Sequence, residues 1–228
     1  MKKILKRAAA FGLGAVLMIF VAACSNQLDV VGDESIETFQ AVLEVIPDNV
    51  SADDLNGGWS LEAPDDTVRF IWSKDYSKSP LHDVMLEFDA KPFLDAGLDT
   101  DKLPEGITYF EDKLMVGTKL GSDAFKYDGE ATPLASYEQI VRSYRDSIGY
   151  HTALDHFGVK LGDGNMFEWA KTMSTNDKDI VFVLNPEPFI SAGVDPDAVS
   201  GWVFAKVPVE ENGKTVEVDK LLKPFDLQ

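Results

Sequence analysis

Residues 83–101 read DVMLEFDAKPFLDAGLDTD, and residues 179–197 read DIVFVLNPEPFISAGVDPD. The second stretch follows the first at an offset of 96. Seven of 19 positions are identical, and half of the others exchange one apolar residue for another. Self-similarity of this length marks a duplicated unit, and it decides the fold. Each stretch opens on an apolar run of strand length and continues into a short helical turn behind a proline. The turns end at Gly97 and Gly193, residues suited to a left-handed position past a helix end. The likeness extends outward. Phe70, Ile71 and Trp72 pair with Phe167, Glu168 and Trp169 at an offset of 97, and Ser35, Ile36 and Glu37 pair with Ser136, Tyr137 and Glu138 at 101. Small deletions in turns absorb the drift.

Each copy opens with a helix. Ile36, Phe39, Leu43 and Ile46 recur at helical spacing until Pro47 stops the run. In the second copy Tyr137, Ile140, Val141, Tyr144 and Ile148 do the same, which predicts a helix continuing to Phe157. Ser136 with Gln139 reads as a capping box, and Glu138 with Arg142 as an ion pair one turn apart. Turns at 64–66 and 162–164 lead into strands around Phe70 and Phe167, where apolar residues alternate. A hairpin closes each copy, at roughly 107–120 and 201–218. The latter turns at Asn212 and Gly213, a pair that favours a type I′ turn.

The fold class is therefore α+β: two tandem related units, each a helix packed on a mostly antiparallel sheet with a short helical turn. The first unit spans residues 35–132, with a linker at about 121–133, and the second spans 133–228. Two side-by-side lobes with a cleft and one continuous sheet both satisfy this pattern.

Ahead of the repeat lies a different kind of segment. Residues 1–7 carry four basic side chains, residues 8–23 carry no charge, and the run closes on Val21, Ala22, Ala23 and Cys24. Sixteen apolar residues fall short of the ~20 that a membrane-spanning helix needs. A basic start, a short apolar core and small closing residues describe a signal peptide instead. This leader resembles the lipobox of bacterial lipoproteins, with Val21 where leucine is usual. The resemblance covers residues 1–24 alone. It implies cleavage before Cys24, covalent diacylglycerol and N-acyl lipid on Cys24, and anchoring on the extracytoplasmic face of a bacterial membrane. Ser25 would permit outer-membrane sorting if the cell has an outer membrane. Residues 24–34 then form a lipidated Cys and a short tether.

The chain has 39 acidic and 21 basic residues, a net charge of −18, and 45% hydrophobic residues. Cleavage before Cys24 leaves 205 residues with a net charge of −22, enough for a sizeable core. Such a field repels nucleic acid. Cys24 is the only cysteine, so disulfides, zinc–thiolate sites and thiolate catalysis are excluded from the body. No phosphate-binding loop, Gly-x-Ser-x-Gly or His-Glu-x-x-His motif occurs.

The remaining candidates are few. Asp99, Asp101, Asp195 and Asp197 form two equivalent Asp-x-Asp pairs that would suit calcium, though neither continues as an EF-hand loop. Helix capping explains them better, with Asp195 before Pro196 as an N-cap. His151, Asp155 and His156 fall at the expected end of the long helix with poor geometry for joint chelation, and His82 stands apart. Trp72 and Trp169 read as core anchors, while Trp59 and Trp202 are candidate ligand-binding aromatics. The expected function is a membrane-anchored binding module for a protein or small-molecule partner. A hydrolase with a spatially assembled site and a structural envelope protein are the alternatives.

Overall fold

The computed structural model describes residues 25–54, 57–74, 82–120, 132–151, 154–173, 178–211 and 214–227. The leader with Cys24, most of the linker, and the Asn212–Gly213 turn lie outside the described residues.

The first half contains α1 (Ser25–Val45), β1 (Val50–Asp53), β2 (Gly58–Glu62), β3 (Val68–Ser73), β4 (Val84–Asp89), α2 (Lys91–Asp95), β5 (Ile107–Phe110) and β6 (Lys113–Thr118). The second contains α3 (Pro133–Ser143), β7 (Ile148–His151), β8 (His156–Lys160), β9 (Met166–Ala170), β10 (Ile180–Leu184), α4 (Glu187–Ser191), β11 (Val203–Glu211) and β12 (Lys214–Phe225). The strands form two six-stranded sheets, ordered β1-β2-β3-β4-β6-β5 and β7-β8-β9-β10-β12-β11. Element for element the two orders are the same, and every pairing is antiparallel. The α+β fold of two tandem related units is thus the observed one.

The halves are neither lobes nor one sheet. Their inner faces meet around a pseudo-two-fold axis, along which residues touch their own counterparts, the mark of a two-fold contact. Phe70 stacks on Phe167 at 4.6 Å between centroids, and Phe93 lies 5.0 Å from Phe189. The Asp99 N–H donates to the Ala192 carbonyl, and the Asp195 N–H donates to the Ala96 carbonyl, both at 2.9 Å. Gly97 and Gly193 have φ of 104° and 103°. A Cβ added at Gly97 would sit 2.8 Å from the Gly193 oxygen, and one at Gly193 would sit 2.9 Å from the Gly97 oxygen. Both left-handed backbone and close approach require glycine here.

The long helices are exchanged between the halves. α1 lies over β7 and β9 of the second sheet, while α3 lies over β3 of the first. The Trp169 indole N–H donates to Thr38 Oγ1 of α1 at 3.0 Å, and the Trp72 indole N–H donates to the Pro133 carbonyl of α3 at 3.0 Å. Lys171 pairs with Glu34 at 2.9 Å. Phe39 bridges both sheets, 5.5 Å from Trp72, 5.2 Å from Trp169 and 4.2 Å from Tyr137. All four rings are fully buried. Each such side chain contributes about 1.5–3 kcal/mol by leaving water. One contiguous core therefore serves both halves.

Three expectations are corrected. α3 ends at Ser143, not near Phe157; the Tyr144 N–H closes it on the Ile140 carbonyl at 2.8 Å. Residues 148–151 and 156–160 are paired antiparallel strands instead, where Ile148, Tyr150, Phe157 and Val159 alternate with glycine and histidine. The helix is capped by Thr132, whose side chain accepts from the Ala135 N–H at 3.2 Å, with Pro133 in the first turn. Ser136 and Gln139 sit inside the helix and form no capping box. Finally, α1 begins at Ser25 and not near Ser35, so residues 25–34, read as a short tether, are helical. Gly32 lets α1 approach α3, since a Cβ there would lie 3.0 Å from Val141 Cγ1. The expected Glu138–Arg142 pair is present, with Arg142 Nε 2.7 Å from Glu138 Oε1.

Candidate functional site: a buried carboxylate between two imidazoles

The sheets' outer faces differ from their inner ones. On β9, Phe167 and Trp169 point to the core, so Met166, Glu168 and Ala170 point outward by strand alternation. Glu168 is only 1% exposed. It pairs across the ladder with Gly158, and Gly158 pairs with Gly149 on β7. A Cβ at Gly158 would sit 3.2 Å from Glu168 Cγ. The missing side chain leaves the carboxylate room to lean along the sheet.

It leans toward two histidines. His151 and His156 face each other across the β7–β8 ladder, on the same face as Glu168. They are 1% and 3% exposed. Glu168 Oε2 stands 3.7 Å from His151 Nδ1 and 3.8 Å from His156 Nδ1. Both contacts are longer than a hydrogen bond. Burial pushes the Glu168 carboxyl up, but the two imidazoles outweigh it and hold the group below the usual carboxylate range. Among the described residues, neither carboxylate oxygen has a hydrogen-bond partner, and neither has His156 Nδ1. Lys220 on β12 shares this face. Burial lowers its ammonium pKa, and the Glu168 charge opposes that shift.

His151 and His156 were expected at a helix end. The strand pairing brings them together, leaving Asp155 in the turn between them, with φ of 56° and a hydrogen bond from the Tyr150 hydroxyl. That bond and burial push the Tyr150 hydroxyl up to about 12. Glu168 was passed over in the sequence. Its signal was a lone acid between two aromatics in an apolar strand, where the first copy has Ile71.

The other candidates have structural partners. The Trp59 indole N–H donates to Ser136 Oγ at 3.1 Å, and Lys74 lies over its ring. Trp202 packs on Phe88 and Phe93, at 5.6 and 5.8 Å. Asp99 accepts from the Asp101 N–H and Asp195 from the Asp197 N–H, each at 3.2 Å. Both thus cap short turns, and Asp99 also pairs with Lys102 at 2.7 Å. His82 is half-buried; burial, then the Lys119 charge, lower its pKa. Among the described residues, no group of three or more His, Cys, Asp or Glu is arranged to hold a metal ion. Nor is any described helix long and apolar enough to cross a membrane.

No family model matches the chain, and neither a curated protein nor a solved structure is similar to it.

Proposed function

We propose that the chain is a bacterial lipoprotein, anchored through Cys24 on the extracytoplasmic face of a membrane and working as a binding module. One observation carries this reading: the basic, apolar and small-residue leader that closes on the only cysteine of the chain. Two or more acyl chains hold a protein stably in a bilayer. α1 starts at Ser25, the residue after Cys24 in sequence, and its Phe39 and Val42 lie in the shared core. At 1.5 Å per residue, Ser25 to Ser35 spans about 15 Å. The anchor then ties the body close to the lipid surface. Support for the binding role comes from the second sheet's outer face, where ionisable side chains are buried together and no catalytic motif accompanies them.

Intact-mass analysis of the protein from native membranes tests the anchor. The expected product begins at Cys24 and carries diacylglycerol and an N-acyl chain, and Cys24→Ser abolishes both. An intact leader, or an unmodified first residue, contradicts the reading.

A further inference from the structure

We propose that the first half carries a binding site for a small aromatic monocarboxylate, at the corner where α3 meets the β1–β2–β3 edge of its sheet. The inference deepens the binding role above and rests on it, but not on the lipid anchor.

The second half shows what such a corner holds, because it fills its own with side chains of the chain. Tyr150, Phe157 and Trp169 form one cross-strand row on β7, β8 and β9. The Tyr150 ring lies 5.0 Å from that of Phe157. Lys171, two residues past Trp169, reaches over the Tyr150 ring at 5.9 Å and donates to the Glu34 carboxylate of α1 at 2.9 Å. One ammonium thus serves an aromatic ring and a carboxylate together.

The first half keeps the receptor and loses both fillers. Its row is Ala52, Trp59 and Trp72, by the same register. Lys74 stands two residues past Trp72, as Lys171 does past Trp169. The helix repeat, at an offset of 101, puts Ala135 of α3 where α1 has Glu34. Methyl groups therefore stand in place of the ring of Tyr150 and the carboxylate of Glu34. The corner is open: Ala52 and Lys74 are exposed, and Trp59 and Ala135 are half-buried. Phe157, the counterpart of Trp59, is 1% exposed. Among the described residues Lys74 has no carboxylate partner, and its ammonium lies over the Trp59 ring at 5.8 Å. The Ser136 hydroxyl accepts from the Trp59 indole N–H at 3.1 Å and fixes the ring in place.

A second, independent observation comes from Gln139. It is 4% exposed, and neither atom of its amide has a hydrogen-bond partner. Such a group calls for a missing partner. Gln139 follows Ala135 by one turn of α3, so the two share a helix face. Its counterpart Thr38 is satisfied by the Trp169 indole N–H at 3.0 Å, whereas the Trp72 indole N–H goes to the Pro133 carbonyl. A carboxylate seated over Ala135 offers the Gln139 amide an acceptor and Lys74 a counter-charge.

These groups define the ligand. The Trp59 face takes an aromatic ring, and the Lys74 ammonium takes a carboxylate in a charge-assisted bond. The net charge of −18 disfavours a more highly charged anion.

Calorimetry on the lipidated full chain in detergent, against a detergent blank, tests the site. The probes are phenylacetate, 4-hydroxyphenylacetate and indole-3-acetate, with 2-phenylethylamine as the cationic counterpart. Expected is saturable 1:1 binding of at least one acid and none of the amine. Lys74→Met, at an exposed side chain, weakens that binding about tenfold or more. The double variant Ala52→Tyr, Ala135→Glu rebuilds the filling of the second half and abolishes binding; should it fail to fold, Lys74→Met decides. The proposal is overturned if no acid saturates, if a folded variant binds as well as wild type, or if the amine binds equally. None of these results changes the mass of the Cys24 product, so failure of this site is distinct from failure of the anchor.

Discussion

The two sheets share a topology and differ on one face. Inward, each position matches its counterpart: Phe70 with Phe167, Trp72 with Trp169, Phe93 with Phe189, all buried. Even a buried carboxylate is matched. Asp83 and Asp179 are fully buried, and each accepts a backbone N–H at 2.7 Å, from Leu120 and Leu227. Outward, the first sheet buries Ile71, Met85 and Met115 against one another. It also neutralises Glu87 with Arg69, Nε to Oε1 at 2.9 Å. The second places Glu168 where Ile71 stands and adds two histidines. Duplication thus preserved the surface that holds the halves together, because a changed core side chain leaves a cavity or a clash on the axis. The outer face had no counterpart to fit, and chemistry diverged there.

The largest expected effect comes from forcing the outer faces alike. Ile71→Glu places a carboxylate at a fully buried position that lacks the imidazoles of the second copy. An uncompensated buried charge costs about 3–5 kcal/mol, read as a drop in the denaturation midpoint. The reverse change, Glu168→Ile, strips His151 and His156 of the carboxylate between them but leaves no uncompensated carboxylate, and is expected to cost less. Equal losses in the two variants would break the comparison.

A middle-sized effect tests the axis itself. Gly97→Ala and Gly193→Ala each meet a positive φ and a carbonyl from the other half, at an expected cost of about 1–3 kcal/mol. The two losses should agree, since the two environments are near copies. Chemical denaturation measures both; a loss confined to one would show that the symmetry ends short of the axis.

The smallest effect is a pH dependence. Burial pushes the Asp65 carboxyl up, but hydrogen bonds from Thr67 and the Lys223 ammonium at 2.9 Å hold it below the usual range. A depressed folded pKa stabilises above the unfolded value of about 3.9 and is lost as pH falls through the folded value. Melting curves of Asp65→Asn should lie slightly below wild type at neutral pH and converge with it below about pH 4. Its partner Lys223 is on β12, so the pair joins the halves at their rim; a constant gap across pH would remove the pair from the account.

Much of this architecture is legible in the chain. The 83–101 and 179–197 repeat gives the strands β4 and β10, the proline-led turns and the two axis glycines. Trp72 and Trp169 follow as core anchors from alternation. What escapes is set by non-local contact. Tyr144 and Ile148 fit helical spacing, yet Ile148 pairs with Val159, and that ladder outweighs a weak helical preference. The capping box fails because Thr132 and Pro133 offer an earlier helix start. The exchange of α1 and α3 leaves no local trace, since either sheet presents a similar apolar face. His151 and His156 become neighbours only when residues 148–160 are read with period two, and Glu168 joins them across a third strand.

Nuclear Overhauser contacts from the two core indoles test the exchanged helices most directly. The account predicts cross-peaks from the Trp169 indole N–H to Thr38 on α1, and from the Trp72 indole N–H to residues at the start of α3 around Pro133. Cross-peaks from Trp169 to α3 alone and from Trp72 to α1 alone would contradict it, because each helix would then cover its own sheet.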